Sequence, residues 1–214
     1  MNYQRQTDLP YPQPWEWIRD NIEFLDEKCF YIDIGANDGL IVSNTAYFDL
    51  NLGWGGICIE PHPRAFSELV KNRPNAKKIN ICISNEESEV DFCVVNGYAE
   101  MLSGIEKCYH PDHKKRVELE IEKHGGNKEI IKIVSKPLKQ IIKENEVKKV
   151  DYLSIDTEGS ELEILKSIDY DLVDIRIIST ENSSGSDIKT FLQSKGFVFA
   201  DLISGDEIYY SNKL

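Results

Sequence analysis

Four acidic residues lie where apolar, strand-like segments of this sequence end: Asp33, Glu60, Asp156 and Glu181. If these segments are parallel strands of one sheet, their carboxyl ends share one edge, which is where open α/β folds bind their ligands. One acid in such a place is as often a helix cap or a solvated loop residue as part of a site. Four in equivalent places favour a site, so the sequence predicts an acidic ligand-binding crevice.

The first of these strands begins at Phe30 and runs into a turn in which three small or turn-forming residues separate Gly35 from Gly39. A tight strand-to-helix turn over a ligand needs such glycines. The spacing is not G-x-G-x-x-G, so no cradle for a pyrophosphate is implied. Asp33 and Asp38 would repel a phosphate and suit a cationic ligand with hydroxyl and amine donors. S-adenosylmethionine, with its sulfonium, ammonium and ribose, is such a ligand, and we expect it at this turn.

The composition fits one globular domain of 214 residues with a net charge of −12. This charge argues against a general nucleic-acid or anionic-membrane surface and is easier to reconcile with a neutral or cationic substrate. The five cysteines include no C-x-x-C pair, so we expect free thiols in a reducing compartment rather than disulfides or zinc ligands. Because no apolar run is long enough to span a bilayer, we expect a cytoplasmic protein without membrane insertion.

Strand, helix and strand follow one another through short connections along most of the chain, which predicts an open, mainly parallel α/β sheet. A proline-dotted arm or linker is expected at 1–14, and the domain at 15–214. The segment 97–128 interrupts this alternation of strands and helices, and an insertion of this length is usually a lid or a substrate loop. The predicted helices include Trp15–Phe24, Ala46–Leu52, Leu138–Glu144 and Ser186–Ser194, and the predicted strands include Lys78–Ser84 and a closing antiparallel pair, Phe197–Ile203 with Glu207–Tyr210.

Six motifs follow one another along the chain: DIGANDG (33–39), SNT (43–45), GWGG (53–56), IEP (59–61), SG (103–104) and DYLSIDTEGSELE (151–163). In this order and spacing they resemble the FkbM family of S-adenosylmethionine-dependent methyltransferases, from about Phe30 to Tyr210. The resemblance implies a class I methyltransferase fold: a Rossmann-like, doubly wound sheet of seven mainly parallel strands with an antiparallel edge strand. It also implies an O-methyltransferase, with a sugar hydroxyl of a glycan or glycosylated product as the acceptor.

Carried over residue by residue, the resemblance implies the parts of a cofactor site. It puts the methionine moiety on the turn, the ribose on Glu60, the adenine near Pro61 and the segment at Ser84, and the methyl donor beside Asp156. The residues expected to bind the cofactor are Asp33, Gly35, Ala36, Asn37, Asp38, Gly39, Asn44, Glu60, Pro61, Ser84 and Asp156.

A divalent metal is an open alternative in this site. The layout of Asp156, Glu181 and Asn182 is similar to that of catechol-type O-methyltransferases, in which acids and an amide hold magnesium. Hard oxygen ligands suit Mg²⁺, Mn²⁺ or Ca²⁺. The sequence leaves the metal undecided.

The sugar hydroxyl is a poor nucleophile at neutral pH and needs a base or a cation beside it. His113 and His110 of the insertion are candidate bases, with Asp156 and Glu158 as competitors. The insertion and its loops are expected to decide which acceptor binds.

Two other functions stay open at this stage. One is a nicotinamide-dependent oxidoreductase with a Rossmann-like fold, against which the missing G-x-G-x-x-G counts. The other is a non-catalytic module that binds the cofactor or a glycan within a larger glycan-assembly protein. Glycosyltransferase domains, fused or separate, are the expected partners, and the oligomeric state is left open.

Overall fold

A seven-stranded sheet forms the centre of the computed structural model, which describes residues 12–23, 29–182 and 186–213. The predicted arm at 1–14 therefore lies mostly outside the described residues. The strands are β1 Phe30–Ile34, β2 Gly55–Ile59, β3 Lys77–Ile79, β4 Cys82–Ile83, β5 Ser88–Asn96, β6 Gly104–Ile105, β7 Asn127–Lys136, β8 Lys149–Ile155, β9 Asp174–Glu181, β10 Phe197–Ile203 and β11 Asp206–Ser211.

Seven α-helices accompany the strands in the described residues, and three of them, α2 (Ala46–Leu52), α5 (Leu138–Glu144) and α7 (Ser186–Ser194), have the predicted bounds. Gly53, in the left-handed conformation, ends α2 as expected of a glycine cap. The helices are α1 Pro14–Asn21, α2 Ala46–Leu52, α3 Pro63–Asn72, α4 Pro111–His124, α5 Leu138–Glu144, α6 Glu161–Lys166 and α7 Ser186–Ser194.

The main sheet has the strand order β10-β11-β9-β8-β1-β2-β3. All neighbours pair in parallel except β11, which is antiparallel to both β9 and β10. The predicted antiparallel pair is therefore confirmed, with β10 at the edge and the antiparallel strand one place further in. The strand order reverses between β1 and β8, and ligands of such sheets bind at this switch point.

A second sheet of four strands, in the order β4-β7-β5-β6, stands beside the first. The prediction of one strand over Lys78–Ser84 was wrong, because the chain leaves the main sheet after Ile79 and enters the second sheet at Cys82. Asn80 lies at the break, and its side-chain amide donates to the carbonyl oxygen of Glu60 at 2.7 Å. The second sheet thereby begins directly next to the ligand-binding edge of the first.

The insertion 97–128 connects β5 to β7, which pair antiparallel along their length. In the structure the insertion folds back toward the main sheet and packs against the loop after β8. A Cβ on Gly104 would lie 3.3 Å from the carbonyl oxygen of Thr157, and one on Gly159 would lie 2.6 Å from that of Cys108. These close backbone contacts hold the insertion against the loop after β8. The expected lid-like motion stays a prediction.

Candidate active site

A cleft with roughly 640 Å³ of empty space lies between the carboxyl ends of β1, β2 and β8 and the second sheet. The main sheet contributes Gly35, Asn37, Glu60 and Asp156 to its lining. The part of the cleft beside the second sheet is largely apolar. One end of the cleft is therefore polar and the other is hydrophobic. Its apolar lining includes Ile81, Cys82, Ile83, Phe92 and Ile105.

The glycine turn is packed against the loop after β8. Gly35 has a φ of +83°, and a Cβ at this position would lie 1.7 Å from the carbonyl oxygen of Asp156. Only glycine fits there, because both the left-handed backbone and the neighbouring carbonyl exclude a side chain. Asn37 also has a positive φ, of 47°, a conformation that asparagine adopts more readily than most residues.

Glu60, the residue directly after β2, accepts a hydrogen bond from the same turn. One carboxylate oxygen accepts the backbone N–H of Asn37 and the other accepts that of His62, both at 2.7 Å. Burial raises the pKa of Glu60 to about 7, because a carboxylate loses hydration in the protein interior. Each oxygen has a further lone pair for a ligand hydroxyl. This position and chemistry agree with the predicted ribose contact.

Asp33 is not among the residues that line the cleft. Its side chain is 4 % exposed and accepts the hydroxyl hydrogen of Thr45 at 2.5 Å. The residue is still inside β1, where side chains alternate between the two faces of the sheet, and it lies on the face shared by Tyr31. Asp33 therefore contacts the interior beneath the turn.

The other residues expected to bind the cofactor also divide into those that line the cleft, like Glu60, and those that do not, like Asp33. Pro61 lines the cleft, whereas Ala36 is buried in the core and Asp38 accepts the backbone N–H groups of Leu40 and Ile41. Ser84 bonds to the Ser135 hydroxyl, and Cys82 and Ile83 line the cleft in its place.

Asn44 lies near the cleft without being among the residues that line it. Its amide nitrogen donates to the Asp206 carboxylate at 3.3 Å. Its Oδ1 atom is buried and has no hydrogen-bond partner among the described residues.

Three carboxylates, of Asp156, Glu158 and Glu181, converge at the far end of the cleft, with oxygens that all lie within 4.8 Å of one another. The Asp156 side chain is exposed to the cleft. Partial loss of hydration within the cleft, followed by repulsion from Glu158, raises its pKa well above the usual range. Burial likewise raises the pKa of Glu181 to about 7. Like charges this close repel one another, so a cation bound among the three carboxylates would be stabilised there.

Asn182, the other predicted metal ligand, donates through its amide nitrogen to Glu207 at 2.8 Å. Its Oδ1 atom and the Oε2 atom of Glu181 are buried without a hydrogen-bond partner among the described residues. Glu158, which was not predicted as a ligand, joins Asp156 and Glu181 in the cluster, and the place of Asn182 in a metal site stays a prediction.

His113 is held between two acceptors. Its Nε2–H donates to the Leu102 carbonyl oxygen at 3.0 Å, and its Nδ1 lies 3.1 Å from a Glu158 oxygen. Burial alone would lower the pKa of His113, but these two contacts outweigh it and raise the pKa. Both ring nitrogens are thus engaged, one by the Leu102 carbonyl and one by the Glu158 carboxylate, and the role of His113 as a base stays a prediction.

His110 does not reach the carboxylate cluster. Its side chain is largely exposed and caps α4 by accepting the backbone N–H of Asp112 at 3.3 Å.

A polar groove adjoins the cleft on the other side of the carboxylate cluster, with roughly 1030 Å³ of space that is open to solvent. The insertion contributes Tyr109, Pro111 and Arg116 to it, and Glu158 and Glu181 form its floor. The groove and the cleft share the carboxylate cluster as their boundary, so a molecule in each would meet there.

Two contributions to the cleft could not be inferred from the sequence. The apolar wall comes from the second sheet, whose pairing is non-local. Glu100 of the insertion also lines the cleft, where it is buried and pairs with both ends of the Arg64 guanidinium. A charged pair of this kind ties the insertion to α3, and neither residue stands in a recognisable motif.

The sheet order, the glycine turn after β1 and the acids after β2 and β8 define the fold of class I S-adenosylmethionine-dependent methyltransferases. The model of the methyltransferase FkbM domain matches residues 33–199, and the chain belongs to this family. Membership supports S-adenosylmethionine as the cofactor and a methyltransferase activity, and it removes the basis for the nicotinamide alternative. No match was found among curated proteins.

The chain is also similar to several solved structures, one of which has a TM-score above 0.5 and shows the same fold. The FkbM methyltransferase from Methylobacillus flagellatus KT is 12 % identical with a TM-score of 0.58, covering 94 % of this chain and 48 % of that chain. The chain thus spans about half the length of that protein. The N-terminal domain of human METTL16 in complex with SAH is 15 % identical (TM-score 0.48; 92 % of this chain, 66 % of that chain), and Aeropyrum pernix fibrillarin with bound S-adenosyl-L-methionine is 11 % identical (TM-score 0.44; 92 % and 71 %).

The protein without ligand is expected to be less stable at pH 8 than at pH 5. The pKa values of Glu60 and Glu181 are raised to about 7 and that of Asp206 to about 6 by burial, against about 4 in the unfolded chain. The folded state holds more protons in this interval, so the stability they provide is lost as the pH rises through these values. Thermal unfolding across this range measures the effect, and Glu181→Gln should reduce it. A melting temperature that increases with pH would contradict the expectation.

Proposed function

We propose that this protein transfers the methyl group of S-adenosylmethionine to a hydroxyl of a sugar, in a glycan or a glycoconjugate. The observation that carries the proposal is the carboxylate cluster of Asp156, Glu158 and Glu181 at the boundary between the cofactor cleft and the polar groove. A cofactor on one side and an acceptor on the other would meet at Asp156.

The cleft has a matching place for each part of the cofactor. The apolar end, with Phe92 and Ile105, suits the adenine, and Glu60 suits the ribose hydroxyls. The sulfonium and ammonium then lie toward Asp156, where positive charge offsets the repulsion among the carboxylates.

The groove suits an uncharged polyol. Carboxylates accept hydrogen bonds from sugar hydroxyls, and the exposed Pro111 offers an apolar surface for a sugar ring. Acidic groups on the floor disfavour a phosphate-rich acceptor, in keeping with the net charge of −12.

The reaction is an in-line displacement in which the acceptor oxygen bonds to the methyl carbon as the carbon–sulfur bond breaks. The bonding pair passes to sulfur and leaves S-adenosylhomocysteine, and the hydroxyl proton passes to Asp156. A carboxylate with a raised pKa is a better proton acceptor than an ordinary one, since its basicity lies closer to the working pH. His113 acts on Glu158, which it holds in place.

A transfer assay with S-[methyl-³H]adenosylmethionine tests the proposal with four acceptors: a neutral glycoside, an amino sugar, a uronic acid and an RNA oligonucleotide. We expect transfer to the hydroxyl of the neutral glycoside. Binding of the cofactor without transfer to any sugar would favour a non-catalytic module, and transfer only to RNA would overturn the acceptor class.

A second candidate is metal-assisted transfer, which the three convergent carboxylates favour. Asp156, Glu158 and Glu181 offer hard oxygen ligands within 4.8 Å of one another. A divalent ion held there would lower the pKa of a bound hydroxyl.

Treatment with EDTA separates the two routes. If Asp156 is the base, the transfer rate should be unchanged after chelation. A loss of activity that Mg²⁺ or Mn²⁺ restores would instead assign the carboxylates to a metal.

We further propose a cytoplasmic setting with glycosyltransferase domains as partners. All five cysteines are free thiols, four of them buried, which supports a reducing compartment. In the described residues, no helix has the length and apolarity needed to cross a membrane. A glycan acceptor would be supplied by glycosyl transfer, so the enzyme that makes it is the natural neighbour.

A further inference from the structure

Two side chains at the C-terminal end of α3 donate hydrogen bonds to the glycine turn after β1, where the cofactor is expected. The amide nitrogen of Asn72, the last residue of α3, donates to the Asp38 carbonyl oxygen at 2.8 Å. Arg73, the next residue, donates through Nη1 to the Gly39 carbonyl oxygen at 3.1 Å. Two successive carbonyls of the turn are thus fixed from below by two successive side chains.

A third side chain, that of Glu60 directly after β2, also contacts this turn. Glu60 accepts the Asn37 N–H, so that three consecutive residues of the turn are each held by a different side chain. Asn37 and Gly39 both have positive φ angles. A backbone of this kind is unfavourable for a free chain and needs outside contacts to persist.

Arg73 is a charged residue with no exposed surface. Its Nε donates to Asp49 at 2.6 Å, and its guanidinium lies 5.1 Å from the centre of the Tyr31 ring. The remaining donors reach Ser43 at 3.3 Å and Thr45 at 3.0 Å. The fork of a guanidinium can make all of these bonds at once, which a lysine cannot.

Thr45 connects this network to the strand before the turn. Its hydroxyl oxygen accepts from Arg73 and its hydrogen is donated to Asp33. Burying a charge and its partners is costly and contributes little net stability compared with an apolar core. A buried arginine whose bonds run to the turn and to the strand before it has another use, namely to fix their geometry.

We infer that Asn72 and Arg73 are positioning residues for the cofactor: they hold the turn in its binding conformation before the cofactor arrives. Preorganisation of this kind raises affinity because no ordering cost remains to be met on binding. Asp33 belongs to the same hydrogen-bond network, because its carboxylate accepts the hydroxyl hydrogen of Thr45. The inference rests on the proposed function, since it places S-adenosylmethionine at this turn.

The test compares Asn72→Ala with a matched control, Asn145→Ala. Asn145 lies at the end of α5, and its amide nitrogen donates to the Ile141 carbonyl oxygen at 2.7 Å, the same type of half-buried bond. Calorimetric titration with S-adenosylhomocysteine should show about tenfold weaker binding for Asn72→Ala and no more than about a twofold change for Asn145→Ala. Both variants should lose similar amounts in melting temperature.

Arg73→Lys provides a second variant, which retains the charge beside Asp49 and loses the fork. Its KM for S-adenosylmethionine should rise about tenfold with a nearly unchanged kcat, a division that a merely structural defect would not produce. Unchanged binding in Asn72→Ala, or equal weakening in Asn145→Ala, overturns the inference alone. Failure of the wild-type protein to bind S-adenosylhomocysteine overturns the proposed function and this inference with it.

Discussion

Gly35→Ala is expected to abolish cofactor binding and, with it, methyl transfer. The new Cβ would lie 1.7 Å from the carbonyl oxygen of Asp156 and 2.9 Å from its carbonyl carbon. That carbonyl cannot easily move, because the N–H of Asp156 donates to Ile34 at 3.0 Å and holds the loop to β1. The clash therefore displaces the turn or the loop after β8, and both line the cleft. Titration with S-adenosylhomocysteine should show binding at least about 100-fold weaker, which corresponds to 2.7 kcal/mol or more.

Gly53→Ala is the matched control for this substitution. Gly53 has a similar φ of +73°, but a Cβ there would meet no atom within 4 Å. Alanine at this position should cost about 1–2 kcal/mol of stability, from the left-handed backbone alone, and leave cofactor affinity unchanged. The difference between the variants isolates the contact with Asp156. If Gly35→Ala binds the cofactor as the wild-type protein does, the turn is not its anchor.

Much of the fold follows from local signals in the sequence. The helix Ala46–Leu52 ends at a glycine that can adopt a left-handed φ, and β8 is rich in apolar and aromatic residues and is buried after Lys149. These features depend on a few neighbouring residues, so they can be read without knowing the partners. Strand ends that carry acids likewise predicted the position of Glu60 and Asp156 in one cleft.

The second sheet shows where local signals are insufficient. β5 and β7 pair along nine residues across an insertion of about thirty, and β4 pairs with β7 rather than with β3 or its neighbours. Periodicity indicates that a segment is a strand but does not identify its partner. The apolar wall of the cleft depends on these partners, which is why Phe92 and Ile105 could not be predicted to line it.

Side-chain direction explains the remaining differences in the site. Asp33 lies two residues before Gly35, inside the strand, so the alternation of the pleat directs it to the face of Tyr31. Counting back from the glycine could have shown this. No such signal exists for Arg73 or for the contact between His113 and Glu158, which depend on how α3 and α4 pack.

Asp156→Asn is expected to lower the rate of methyl transfer by about 10²–10⁴-fold, the usual loss when a positioned base is removed. The amide keeps the size of the side chain but cannot accept the hydroxyl proton, so binding of S-adenosylhomocysteine should change only a few-fold. In the wild-type protein, burial and the neighbouring acids raise the pKa of Asp156. Activity should therefore increase with pH through a range above that of an ordinary carboxyl group, as Asp156 becomes ionised, and the variant should lack this dependence.

Glu158→Gln and Glu181→Gln decide whether Asp156 has a distinct role or only shares in the negative charge of the cluster. Glu158 is already paired with His113, and neither Glu158 nor Glu181 is among the residues that line the cofactor cleft, so neither is as well placed to accept a proton from an oxygen at the methyl group. Each should cost about tenfold or less in rate, and Glu181→Gln, like Asp156→Asn, should raise the melting temperature above pH 7 by relieving repulsion. The stability measurement separates loss of chemistry from loss of fold. Equal losses of rate in all three variants would show that the cluster acts through its charge alone and that Asp156 is not the base.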